Sequence, residues 1–480
     1  MDFKSILKVL SLIGMAVGVF FSLEIAVGLY YAENIDLLIF YLSAFIVFNL
    51  LIWIALRDNR IDLKIRESIL AVNLLWILLG IIGAVPLVLY TSASPVSAFF
   101  EAISGFTTTG ATVYTNIESL PHFILFHRSL MHWMGGMGII VLGVGLLSMI
   151  NPSGSLSLFR AESTGIQIEK LRPKIKDTAA SLWKIYFALT VMDAVLLHIF
   201  GMGWFDAINH AFSTISTGGF STKNLSLGAF ESIPIIWTTT IFMLLSGINF
   251  LAHLRLFYKD WSGYRSEEVR WYFVIFFILG ALLTLTHEWT DSDGFWHSAT
   301  HSFFTISSVM TTTGFATLDY GTWSHAAIAL IFLAMFIGGN AGSTAGGVKV
   351  IRYVIMLKTL FVELKRILHP KATISVYVDR RKVGNEIKSS IFGFFALFIF
   401  SNVMLVLYLY ARGFDVMTAL SGALAIIGNI GPGFSQVGPS GNFAFFSDMD
   451  KIVLSVGMIV GRLECYTVYI LLASSFWRKF

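Results

Sequence analysis

Four short strings in this chain have the make-up of a cation-binding backbone. They are Thr107-Thr108-Thr109-Gly110-Ala111, Ser216-Thr217-Gly218-Gly219-Phe220, Thr311-Thr312-Thr313-Gly314-Phe315 and Asn429-Ile430-Gly431-Pro432-Gly433-Phe434. Taken as equivalents, Gly110, Gly219, Gly314 and Gly431 stand 109, 95 and 117 positions apart. Glycine permits the φ/ψ values that turn successive carbonyls to one side. Four such strings around one axis would line it with oxygens that replace a cation's hydration shell. No carboxylate lies within the strings. That disfavours a divalent ion, which wants carboxylates, and suits a large, weakly hydrated monovalent one. The candidate ligands are Thr108, Thr109, Gly110, Gly218, Gly219, Thr312, Thr313, Gly314, Ile430 and Gly431. Hydroxyls at 107–109 and 311–313 would add ligands beneath the carbonyls. Gly218 and Gly433 compete with Gly219 and Gly431 for equivalence. The Ala or Phe after three of the chosen glycines favours the assignment, and Asn429-Ile430-Gly431 aligns best with Thr-Thr-Gly.

A second string, Gly338-Gly339-Asn340-Ala341-Gly342-Ser343-Thr344-Ala345-Gly346-Gly347, interrupts an apolar segment from Ser324 to about Leu368. That segment is too long for one crossing of about 20 residues, and so many glycines break a helix. Irregular backbone at membrane depth must line a water-filled path or be buried in protein. The expected place is beneath the ring, where Gly338, Gly339, Asn340, Gly342, Ser343, Thr344, Gly346 and Gly347 would form a movable gate. A nucleotide P-loop is a poor rival: it needs Lys-Ser/Thr after its last glycine, and Val348 follows Gly347. A small-residue packing motif better suits Gly135, Gly136, Gly138, Gly143 and Gly145. Arg462 is expected to be the only basic residue deep in the membrane, and such a charge is a functional candidate. Its rival reading is a buried ion pair with Glu464, although residues two apart on a helix do not face each other. His297 and His301 have metal-ligand spacing but no third ligand nearby. Glu24 and Asp193 lie within apolar runs, as proton relays or as hydrogen-bonding groups within the bundle.

The elements that must carry these strings are membrane spans. The 480 residues are 56% hydrophobic and 13% charged, against about 25% charged in soluble proteins. Ten spans are expected, at roughly 5–31, 36–56, 68–90, 123–149, 181–203, 233–257, 270–288, 324–348, 389–411 and 452–476. The first run reads as a retained span rather than a signal peptide. The polar stretches 151–180 and 365–389 are too small for cores of their own. Segments 1–8, 57–66, 151–184, 255–270, 349–388 and 478–480 hold 28 of the 33 Lys and Arg residues. By the positive-inside rule they share the cytoplasmic side, with both termini. Cys465 is the one cysteine, so no internal disulfide forms.

The fold class expected is an all-α polytopic membrane protein. An N-terminal pair of spans (1–60) precedes four span–pore-loop–span units around a central pore: 61–165, 166–262, 263–372 and 373–480. The third unit has a broken second span. Short pore helices are expected at Pro95–Phe106, Phe205–Ile215, Phe295–Val309 and Phe414–Ile427. Glu101, Asp206 and Asp415, each after a Phe, are expected at helix starts, facing the positive end of the dipole.

The strings TTTGAT (107–112), STGGFST (216–222), TTTGFAT (311–317) and NIGPGF (429–434), with GGNAGSTAGGVKVIR (338–352) and GRLE (461–464), resemble the TrkH/TrkG/KtrB superfamily of potassium transporters. The resemblance covers essentially the whole chain. It implies potassium uptake across the bacterial inner membrane by a homodimer, each protomer carrying its own pore with K+ ions in the filter. It also implies regulation by a cytosolic nucleotide-binding ring of the TrkA type, and places Arg462 beside the gate loop. In related plant transporters, serine at the first filter glycine goes with sodium transport. Gly110 therefore favours potassium. Membrane lipid is the other expected contact; no organic cofactor, nucleic acid partner or catalytic activity is expected. The alternatives are a poorly selective K+/Na+ permease, a cation-coupled symporter, a non-transporting cation sensor and an intramembrane hydrolase. The last lacks a clustered catalytic pair.

Overall fold

The computed structural model describes residues 2–59, 61, 63–145, 175–288 and 294–478. Positions 151–174 of the expected polar stretch, with Arg160, Lys170, Arg172 and Lys174, lie outside them.

The leading pair is α1 (Phe3–Phe21) with its continuation α2 (Leu23–Tyr30), and α3 (Asp36–Ala55). Asp2 caps α1 through bonds from the Lys4 and Ser5 amides, satisfying donors that a helix start leaves open. Only 17% of the most apolar stretch of α3 is buried, against 56% for the next helix. The leading pair is therefore peripheral, with Phe40, Phe48 and Leu51 exposed.

Four similar units follow. The first has α4 (Ile65–Tyr90), α5 (Pro95–Phe106) and α6 (His122–Gly145). The second has α7 (Ile175–Ile199), α8 (Trp204–Ile215), α9 (Ile233–Ser246) and α10 (Phe250–Phe257). The third has α11 (Glu267–Glu288), α12 (Phe295–Met310), α13 (His325–Ala334) and α14 (Val350–Leu368). A small hairpin, β1 (Tyr377–Val378) with β2 (Arg381–Lys382), leads to the fourth. That unit has α15 (Asn385–Ala411), α16 (Val416–Ile427), α17 (Asp448–Arg462) and α18 (Tyr466–Tyr469).

The short helices α5, α8 and α16 have 12 residues each. At 1.5 Å per residue they rise about 18 Å, too little to cross about 30 Å of hydrocarbon. Each returns as an irregular strand, so its C-terminus is held inside the protein. Their starts are encoded locally. Ser94 accepts from the Ser97 amide with Pro95 in the first turn, and Asp415 accepts from the Thr418 amide.

Three expectations need correcting. Glu101 is not at a helix start: it lies in the interior of α5 and is bonded to Arg128. The second span of the second unit is not continuous, because α9 and α10 meet at 95°. Nor is that of the fourth, where α17 and the helix after it meet at 113°. Among the described residues, six helices are long and apolar enough to cross a membrane, or eight if each bent pair is one span.

Candidate functional site

The four re-entrant helices end identically. The amides of Thr108, Thr217, Thr312 and Asn429 donate to the carbonyls of Gly105, Thr214, Val309 and Ile426 at 3.0–3.2 Å. The next amides, on Thr109, Gly218, Thr313 and Ile430, reach back to Ser104, Ser213, Ser308 and Ala425 at 2.8–2.9 Å. The turning residue has φ of +52°, +56°, +56° and +54° in the four units. Helices often end on such a left-handed residue, usually glycine. Here three are β-branched threonines, each at a cost of about 1–2 kcal/mol. Two positions further on, Gly110, Gly219, Gly314 and Gly431 have φ of +83°, +83°, +82° and +97°. Gly218 and Gly433 do not share that conformation, which separates them from their neighbours.

These glycines form a closed cycle. A Cβ added to Gly110 would lie 2.2 Å from the Gly218 carbonyl oxygen. One on Gly219 would lie 2.0 Å from that of Thr313, and one on Gly314 would lie 2.1 Å from that of Ile430. One on Gly431 would lie 2.5 Å from that of Thr109. Each glycine thus abuts the carbonyl before the next unit's glycine, and the fourth returns to the first. The result is a ring of backbone oxygens at the converging C-termini of four helices, whose partial negative charge attracts a cation.

The threonines divide by position. Thr107 and Thr109 share a hydroxyl bond at 2.7 Å, as do Thr311 and Thr313. These hydroxyls are turned toward each other. The Thr108 hydroxyl is buried with no partner among the described residues. The Thr312 hydroxyl accepts from the Gly346 amide at 2.6 Å. Asn429 bridges units, donating to Thr109 Oγ1 and the Met458 carbonyl, both at 3.0 Å.

Behind the ring, Arg128 is 1% exposed and Glu101 fully buried, with Nε to Oε1 at 2.9 Å. Arg128 also donates to the Ser221 carbonyl and lies 4.1 Å over the Phe220 ring, so it ties the first strand to the second. The other Glu101 oxygen takes the Val113 amide at 2.8 Å. Sequence reasoning missed this brace, because its partners are far apart in the chain. Gly135 and Gly136 are packing glycines: a Cβ would meet the Phe106 carbonyl oxygen at 1.9 Å and Ser216 Cβ at 2.7 Å. A Cβ added at Gly138 would meet nothing within 4 Å among the described residues.

The glycine-rich string joins α13 to α14 as a loop closed at its base, where the Gly338 amide bonds the Val348 carbonyl at 2.9 Å. Thr344 donates to the Ile215 carbonyl at 3.1 Å, at the end of α8. Gly346 reaches Thr312 after α12, and its Cβ position is 2.5 Å from the Gly428 carbonyl oxygen after α16. One loop therefore touches the ends of three re-entrant helices and lies under the ring. Asn340 bonds the Gly247 carbonyl, and the Phe250 amide bonds that of Gly342, at the α9–α10 break.

Arg462, 5% exposed, donates from Nη1 to the Thr344 carbonyl of this loop at 2.9 Å. It does not pair with Glu464, whose partner is Arg352 at 2.6 Å. Nor is it the sole buried base. Arg128, Lys349, Arg352 and Lys451 are buried too. Lys349 donates to the Ala345 carbonyl, so two bases hold adjacent loop carbonyls.

The weaker candidates separate. His301 bonds Thr317 at 2.8 Å, and no group of three or more possible metal ligands occurs among the described residues. Glu24 pairs with His127 Nδ1 at 2.8 Å, while His127 Nε2 bonds the Gly83 carbonyl. A carbonyl only accepts, so Nε2 carries hydrogen and the pair shares one proton at Nδ1. Asp193 is fully buried with neither oxygen partnered among the described residues.

Comparison with known proteins supplies the context. Residues 38–479 match the TrkH family, described as a cation transport protein. The chain is 36% identical over its whole length to the Trk system potassium uptake protein TrkH of Halomonas elongata, also covered in full. It is 39% identical to TrkH of Escherichia coli, over 89% of each chain. The crystal structure of the potassium transporter TrkH from Vibrio parahaemolyticus superposes over all of both chains, with a TM-score of 0.91 and 34% identity.

Proposed function

The chain belongs to the TrkH family of cation transport proteins, and from that premise we propose that it takes up potassium through the ring of four strands. The single observation that carries the reading is the closed cycle of glycines and carbonyls at Gly110, Gly219, Gly314 and Gly431. Neutral carbonyl and hydroxyl oxygens, with no carboxylate, suit K+ better than a divalent ion. Thr108, Thr109, Gly218, Thr312, Thr313 and Ile430 complete the filter in this proposal. The loop of Gly338, Gly339, Asn340, Gly342, Ser343, Thr344, Gly346 and Gly347, held by Arg462, is the gate. Arg462 opposes a passing cation by charge and by fixing the loop. A cation about 8 Å away at an effective dielectric of about 20 is repelled by about 2 kcal/mol, roughly thirtyfold in rate.

The proposed setting is the bacterial inner membrane, with both termini cytoplasmic, as a homodimer bound to a regulatory ring of the TrkA type. Growth of a potassium-uptake-deficient strain at low K+ tests the function. Rescue supports it. An expressed protein that binds K+ without rescue or flux would instead be a sensor. Flux with sodium replacing potassium separates a selective pathway from a poorly selective one.

A further inference from the structure

We propose that Glu268 is the latch that holds the loop under the ring, and that the β1–β2 hairpin sets this latch. The inference deepens the gate reading above and rests on it. Glu268 is the second residue of α11 and is 1% exposed. Its Oε1 accepts from the Ala341 amide at 2.7 Å and from the Ile351 amide at 3.2 Å. One carboxylate oxygen thus joins the entering arm of the loop to the first turn of α14. Bonds from amides to a carboxylate are about twice as strong as neutral ones. With Arg462 and Lys349 on the loop carbonyls, the loop is held from both its donor and its acceptor sides.

The adjacent residue connects the latch to the hairpin. The amide of Glu267, first in α11, donates to Asp379 Oδ1 at 2.9 Å. Its carboxylate pairs with Lys358, which also donates to the Tyr377 carbonyl at 2.8 Å. Asp379 therefore takes the first amide of α11 from outside its own sequence, beside the local cap Ser266, whose Oγ accepts from the Val269 amide at 3.4 Å. Asp379 and Arg380 have φ of +46° and +63°, the two positive values of a tight type I′ hairpin turn. The turn is two residues long, and Arg380 on it and Lys382 beside it are exposed. A displacement of the hairpin moves the first turn of α11, and with it Glu268. Glu268 is a positioning residue: it acts through the loop.

The test uses the full chain in proteoliposomes, measuring K+ flux and the labelling rate of a thiol introduced by Ser343→Cys. Cys465 is buried and contributes little background. Glu268→Met removes the acceptor and should raise both flux and labelling about tenfold, the scale of one lost charge-assisted bond. Glu268→Gln keeps an oxygen there and should raise them less. Asp379→Gly preserves the left-handed turn while removing that acceptor. It should raise both modestly and add nothing in the Glu268→Met background. If Glu268→Met changes neither quantity while a shortened 338–347 loop conducts faster, the latch is wrong and the gate stands. If shortening the loop and Arg462→Ala also change nothing, the gate reading itself fails. Additive effects of Asp379→Gly and Glu268→Met would show that the hairpin does not act through Glu268. Should Glu268→Met not fold, Glu268→Gln and Asp379→Gly decide by the same two measurements.

Discussion

A methyl group is enough to disturb the ring, because each of its glycines faces backbone rather than a side chain that could turn away. At Gly110 and Gly314 a Cβ would lie 2.2 and 2.1 Å from a neighbouring carbonyl oxygen, on a backbone of positive φ. Gly110→Ser and Gly314→Ser should therefore shift a ring carbonyl and weaken selection for K+ over Na+. Competition flux in proteoliposomes checks this, and an unchanged ratio in both variants would sink the filter assignment. Gly138→Ala is the control: with nothing among the described residues within 4 Å of the added Cβ, it should leave flux and selectivity unaltered. The Glu101–Arg128 brace gives a stability prediction. Arg128→Met strands a buried carboxylate, at a cost of about 3–5 kcal/mol, so the Tm of the detergent-solubilised protein should fall by several degrees. An unchanged Tm would mean that Glu101 is neutral or finds another donor. At this scale the ring glycines were legible, because only a residue without Cβ tolerates their contacts. The brace was not, because neither Glu101 nor Arg128 carries a local sign of the other.

Among the elements, the four re-entrant helices could be read almost to the residue. Their starts carry local signals such as Ser94-Pro95 and Asp415, and their ends carry the Thr/Gly strings. The loop at 338–347 was equally plain from its glycines. The breaks after α9 and α17 were not. Hydropathy runs on through Ser246–Asn249, where one glycine abuts the Tyr272 hydroxyl and Asn249 caps α10. At the second break Glu464 and Cys465 are left-handed without any glycine, with φ of +56° and +58°. The Arg352–Glu464 pair and the packing around it hold that turn, and neither is written locally. Placing Arg462 at this break, rather than within a straight helix, is what brings it to Thr344. Arg462→Ala should raise K+ flux severalfold with little change in selectivity, since the ring is untouched. If the folded variant conducts no faster than the parent, its bond to Thr344 is structural only.

For the molecule as a whole, the expected number of crossings follows hydropathy, but the arrangement is set by contacts that hydropathy does not encode. The basic residues Lys365, Arg366, Lys371, Arg380, Arg381 and Lys382 fall between the last turn of α14 and the hairpin. If a regulatory ring docks there, neutralising them should abolish its co-purification and its effect on flux. Normal regulation in that variant would leave the positive-inside rule as their whole explanation. The closed cycle of four strands has a further consequence. Its quarters are alike in backbone and unlike in what hangs beneath them, for among the described residues only Thr312 of the filter threonines receives an amide from the loop. An assembly of four identical subunits would have to suspend four copies of a loop that already contacts the ends of three re-entrant helices. Joining four unequal quarters in a single polypeptide leaves three without the proposed gate loop and assigns it to the third, between α13 and α14. The chain thereby keeps a near-fourfold ring of glycines and carbonyls while escaping the stoichiometry that strict symmetry would impose.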